Sequence, residues 1–111
     1  MCENGLHGGT DEAALQDLIN HIPRAKHVGA TIMRIVAASM LYVDGDHADM
    51  VKKSVAMLKK AVKVAEAEGV TLAIENHIDF TSLEIVQILE GVGSDNLKVN
   101  FDTGNALRLF E

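Results

Sequence analysis

The sequence predicts an α/β fold in which three parallel strands alternate with helices, as an open sheet or as a stretch of barrel. Two observations carry this. Apolar stripes at helical spacing alternate with short apolar runs in the order helix-strand-helix-strand-helix-strand-helix. Short connections between such elements imply crossovers and a parallel sheet. In addition, the runs Val70-Thr71-Leu72-Ala73-Ile74 and Leu97-Lys98-Val99-Asn100-Phe101 each end in an acid, Glu75 and Asp102. Ligands of parallel sheets and barrels bind at the carboxyl ends of strands, so these two acids are the first candidates for chemistry.

The elements follow in order. Residues 1–9 are Gly-rich and aperiodic and read as a loop, placed as if something precedes it. A helix is expected over 11–28, capped by Thr10 or Asp11, with Leu15, Leu18, Ile19, Ile22 and Ala25 as its apolar stripe and Gly29 as its stop. Pro23 lacks a backbone donor and crowds the preceding turn, so a kink or break is expected near Asn20–Ile22. Thr31–Val36 reads as a strand and Ala37–Gly45 as a loop. Asp46 caps a long helix from about His47 to Glu68, with the stripe Val51, Val55, Leu58, Val62 and Ala65. Lys52, Lys53, Lys59, Lys60 and Lys63 lie off that stripe, and Gly69 ends the helix. After the strand at 70–75, Thr81-Ser82-Leu83-Glu84 is a capping-box pattern. It opens a helix with Ile85, Ile88, Leu89 and Val92 on its apolar face, ended by Gly91 or Gly93. A strand at 97–101 and a helix beginning at Thr103 and running towards Phe110 complete the chain.

Composition narrows the class. At 48% hydrophobic residues and 4% aromatic, the 111-residue chain has material for one modest, mainly aliphatic core. A net charge of −6 gives no general attraction to nucleic acid or to anionic lipid. Cys2 is the only cysteine, so no intrachain disulfide forms; this fits a reducing, cytoplasmic location. The N-terminus lacks the basic start and apolar centre of a signal peptide, and no apolar run reaches membrane-spanning length.

Side chains alternate along a strand. If Glu75 points inward, Ala73 and Thr71 share its face, while Leu72 and Ile74 face the helices. Likewise Asn100 and Lys98 go with Asp102, and Val99 and Phe101 face outward. Met33 and Ile35 match the outer set, which leaves Ile32, Arg34 and Val36 inward. Two carboxylates at the same end of neighbouring strands would each raise the other's pKa, a conflict that a divalent cation removes.

Ile74-Glu75-Asn76-His77 followed by Phe101-Asp102-Thr103-Gly104-Asn105 resembles the xylose isomerase-like barrel superfamily, in particular its sugar phosphate isomerase/epimerase group. Its relatives include ketose epimerases, hydroxypyruvate isomerase, inosose dehydratase and apurinic endonucleases. Gly29-Ala30-Thr31 before the Arg34 strand and Ala65-Glu66-Ala67-Glu68-Gly69-Val70 before the Glu75 strand strengthen the likeness, which covers nearly the whole chain. The resemblance implies a (β/α)8 TIM barrel of about 250 residues. Residues 1–111 would be a single incomplete domain of it, resembling strands four to six. In the family a Glu, an Asp, a His and a second Glu from successive strands hold a metal. Glu75 matches the first and Asp102 the second; the other two would lie beyond Glu111.

The resemblance therefore implies a divalent-metal-dependent sugar or sugar-phosphate isomerase or epimerase acting through an enediolate, with Mn2+, Mg2+, Co2+ or Zn2+ as cofactor. This stretch alone is expected to be inactive. Glu75 would be metal ligand and catalytic acid/base, Asp102 a metal ligand, and His77, Asn105 and Arg34 contacts to a small sugar or hydroxy-ketone. Plainer roles stand beside each of these. Glu75 could cap a loop or pair with Arg34; Asp102 could close an Asx-type turn, which is compatible with metal binding; His77 could be an ordinary loop histidine; Arg34 could be only an ion-pair partner. His7, His21, His27 and His47 have no partner at diagnostic spacing and read as surface residues. Many relatives carry His where Asn105 stands, and Asn is a poor zinc ligand. The alternatives are a metal-dependent endonuclease or dehydratase on the same barrel, or a non-catalytic α/β interaction module. Exposed strand edges are expected to offer a route to self-association.

Overall fold

The computed structural model describes residues 9–37, 46–77 and 79–108. Residues 1–8, with Cys2 and His7, and residues 38–45, 78 and 109–111 lie outside the described residues, and with them most of the expected loops at 1–9 and 37–45. The elements are α1 (Glu12–His27), β1 (Ile32–Ile35), α2 (His47–Glu68), β2 (Thr71–Glu75), α3 (Ser82–Val92), β3 (Leu97–Asn100) and α4 (Thr103–Arg108). The three strands are parallel and adjacent in chain order, β1-β2-β3. This is the alternation expected of part of a TIM barrel.

The register fixes which residues share a face. Ile32 stands opposite Thr71 and Arg34 opposite Ala73; Ala73 stands opposite Lys98 and Glu75 opposite Asn100. On the other face Met33 pairs Leu72 and Ile35 pairs Ile74. Met33, Ile35, Leu72, Ile74 and Leu97 are buried in the core with Leu15, Leu18 and Ile22 of α1, Leu58 and Val62 of α2, and Ile85 and Ile88 of α3. Ile32, Arg34, Lys98 and Asn100 are exposed. Among the described residues the helices thus cover one face of the sheet, and the face carrying Glu75 is exposed at Ile32, Arg34, Lys98 and Asn100 but buried at Ala73 and Glu75.

Local chemistry explains where the helices begin and end. The Asp11 carboxylate accepts from Ala14 N and caps α1; Asp46 accepts from Asp49 N and caps α2. At α3 the box is complete: Thr81 Oγ1 accepts from Glu84 N at 3.3 Å and Glu84 Oε2 accepts from Thr81 N at 2.8 Å. Gly69 and Gly93 end α2 and α3 in the left-handed conformation, at φ 69° and 66°. Only glycine adopts that conformation without penalty.

The structure corrects the sequence reading in three places. Helix α1 runs through Pro23 without a break. An interior proline costs about 3 kcal/mol, but Leu15, Leu18 and Ile22 on one continuous face are each fully or nearly fully buried. Breaking the helix would expose part of that face, whose burial is worth roughly 1.5–3 kcal/mol per large side chain. The buried face of α2 is rotated from the expected stripe. It consists of Met50, Ser54, Met57, Leu58, Ala61, Val62 and Ala65, while Val51 and Val55 flank it. Beside that face α3 packs close enough that Gly91 lies against Val55. Finally, His47 is no free surface residue: its Nδ1 lies 3.0 Å from Glu84 Oε1, and its ring stands edge-on to Phe80.

Candidate functional site

β2 delivers Glu75 to the carboxyl end of the sheet, and β3 delivers Asp102 two residues beyond Asn100, the register partner of Glu75. Val99 and Phe101 line an apolar groove with Ile85, Val86 and Leu89 of α3. They therefore face the helices; Asp102 lies beyond the end of β3, immediately before α4.

Glu75 is nearly buried, its side chain 10% exposed, and its Oε2 accepts from Nη1 of Arg34, whose side chain is 40% exposed. Arg34 reaches it from β1, one strand away. The ion-pair role given to Arg34 as an alternative is thus realised. Glu75 Oε1 takes no hydrogen bond from the described residues.

Asp102 Oδ1 accepts from Gly104 N at 2.8 Å and Asn105 N at 3.2 Å, capping the first turn of α4. The Asx-type turn is therefore present. It leaves Oδ2 without a hydrogen bond among the described residues. Asn105 meets Asp102 through its backbone N–H and is half-buried. His77 is half-buried just past β2; its N–H donates to Glu75 O at 3.0 Å, and its Nδ1 is buried without a hydrogen-bond partner among the described residues.

Asn76 is a residue whose role the sequence reading missed. It is 2% exposed. Its Nδ2 donates to Asp102 O at 2.9 Å, and its Oδ1 accepts from Asp102 N at 2.5 Å. The signal available was its place: an amide directly after the strand-end acid, able both to donate and to accept.

The donor chemistry fits a divalent cation in kind. Glu75 and Asp102 offer hard carboxylate oxygens at neighbouring strand ends, and each has one oxygen held by the protein and one uncommitted. It does not fit in number: among the described residues no three His, Cys, Asp or Glu side chains come together, whereas catalytic sites usually draw three or four ligands from the protein. A cavity of about 410 Å³ between α1 and β1 touches Arg34 but neither carboxylate. No helix among the described residues is long and apolar enough to cross a membrane.

Comparison with known proteins agrees with the fold. Residues 4–110 match a family described as xylose isomerase-like TIM barrel. A solved structure of L-ribulose 3-epimerase superposes with a TM-score of 0.78 at 25% identity, over 94% of this chain and 41% of the epimerase. The chain thus spans less than half the length of that structure. No curated protein matches it.

Proposed function

The chain belongs to the xylose isomerase-like TIM barrel family, and on that premise we propose that it forms part of a divalent-metal-dependent isomerase or epimerase acting on a small ketose, free or phosphorylated. The observation that supports this reading is the pair of strand-end carboxylates, Glu75 and Asp102, each with one uncommitted oxygen. Similarity to an L-ribulose 3-epimerase adds the substrate class. Its location would be the cytoplasm.

When bound, the cation would polarise a ketose carbonyl and the neighbouring hydroxyl oxygen. Asp102 would hold it with Oδ2. Glu75 would hold it with Oε1 and move the proton on the carbon beside the carbonyl. Arg34 orients the Glu75 carboxylate by donating from Nη1 to Oε2. His77 and Asn105 lie within three residues of the two acids in the sequence and would orient sugar hydroxyls. A nuclease reading is less supported, because the net charge is −6 and Asn105 is a poor metal ligand.

The test pairs Mn2+ titration with L-ribulose epimerisation, on the 111-residue chain and on a version completed to a closed barrel. The completed barrel is expected to turn over. Glu75→Gln should abolish turnover, because it removes a charged ligand and the proton carrier together, and Asp102→Asn should chiefly weaken Mn2+ binding. The 111-residue chain should bind Mn2+ weakly and show no turnover. Full activity in the Glu75→Gln barrel would refute the site assignment.

A further inference from the structure

We infer that Asn76 is the positioning residue that aims the Asp102 carboxylate, an inference that rests on the metal-site reading above. The backbone ladder between β2 and β3 ends at the pair Glu75 and Asn100. Beyond it no backbone rung joins the two strands among the described residues, yet Asp102 lies two residues further on. The Asn76 carboxamide fills that place. Its Nδ2 donates to Asp102 O at 2.9 Å and its Oδ1 accepts from Asp102 N at 2.5 Å, the same pair of bonds a peptide group would make.

The arrangement holds Asp102 from both sides. Asn76 fixes its backbone, and Gly104 N and Asn105 N fix Oδ1 of its side chain. With the main chain and one oxygen held, the direction of Oδ2 is set. Asn76 itself is 2% exposed, so its amide does not exchange partners with water. Outer groups of this kind, which orient a ligating carboxylate without touching the metal, typically govern affinity by roughly 10- to 100-fold.

Asn96 provides a built-in control. At the opposite end of the same two strands its Nδ2 donates to Val70 O at 2.9 Å. It makes the same kind of side-chain-to-backbone bond but lies far along the strands from either acid.

The experiment uses the full 111-residue chain, labelled with 15N and 13C. In the unaltered protein a coupling across the hydrogen bond from Asp102 N to the Asn76 carboxamide carbon is expected; its absence overturns the inference with no variant needed. Mn2+ is then titrated while the broadening of amide signals near Glu75 and Asp102 is followed, alongside urea unfolding. Asn76→Ala is expected to weaken the site-specific broadening by roughly 10-fold or more, as Asp102→Asn does, whereas Asn96→Ala destabilises the fold and leaves Mn2+ binding unchanged. Asn76→Asp, which keeps the size and the acceptor for Asp102 N, covers the case in which Asn76→Ala does not fold. If Asp102→Asn weakens Mn2+ binding and neither Asn76 variant does, the positioning role is wrong and the site reading stands. If Mn2+ broadens no signal near the two acids, or Asp102→Asn has no effect, the site reading fails and the inference fails with it.

Discussion

Glu75 closes β2, Asp102 lies two residues beyond its register partner Asn100, and the two acids are held by different means. Glu75 is steadied by a charge, the guanidinium of Arg34 across the β1–β2 ladder. Asp102 is steadied by neutral N–H donors of its own helix and by the Asn76 amide. The two should therefore respond differently to mutation. Arg34→Gln leaves a carboxylate whose side chain is 10% exposed without its cation. Such a loss is expected to cost about 1–3 kcal/mol, read as a lower urea midpoint at constant slope. Because Arg34 is itself well exposed, the lower half of that range is expected. An unchanged midpoint would mean the ion pair contributes nothing to stability and would return Arg34 to a role in substrate contact. The sequence showed both acids, since each interrupts an apolar run. It offered for Asn76 only its place directly after the acid, because the partner of its two bonds lies 26 positions away.

Among the elements, what was legible was whatever local chemistry dictates. The Asp46 cap, the Thr81-Glu84 box and the Gly69 stop put α2 and α3 where the sequence places them. What was not legible came from neighbours. The buried face of α2 is set by its packing between α1 and α3, and the His47–Glu84 pair joins residues 37 positions apart. That pair makes Glu84 serve two elements: Oε2 closes the box of α3 and Oε1 holds the first residue of α2. The helix contact can be tested at Gly91. Gly91 lies in the last turn of α3, where replacing a helical glycine by alanine ordinarily stabilises by up to about 1 kcal/mol. Here the added Cβ would sit 2.9 Å from Val55 Cγ2 and 3.1 Å from Cγ1, and a β-branched side chain has little freedom to move aside. Gly91→Ala is therefore expected to destabilise, and Val55→Ala in the same protein to reverse the sign. A double-mutant cycle by urea unfolding measures this; additive effects would show that the helices do not press together at this point.

At the scale of the whole molecule, a core made of both strands and helices coexists with surfaces that a finished core would cover. The radius of gyration, 13.0 Å, is that of a compact domain of about 100 residues. Yet Ile32 is 65% exposed on the face carrying Glu75, and Val99 and Phe101 are 43% and 55% exposed beside α3. β1 and β3 each pair with a single neighbour among the described residues, leaving an edge on either side of the sheet. Apolar patches and unpaired edges of this kind promote association. The 111-residue chain is accordingly expected to associate as its concentration rises, seen as a growing mass in light scattering after size exclusion. The groove and the face of Glu75 can be separated. Val99→Lys places a charge among Ile85, Val86 and Leu89, and Ile32→Lys places one on the face that carries Glu75. If association runs through the groove, Val99→Lys reduces it and Ile32→Lys does not; the reverse pattern assigns it to the face of the site. A chain that stays monomeric at high concentration and melts in one sharp transition would show that the three strand–helix units satisfy their own surfaces. The exposed apolar residues would then be ordinary surface.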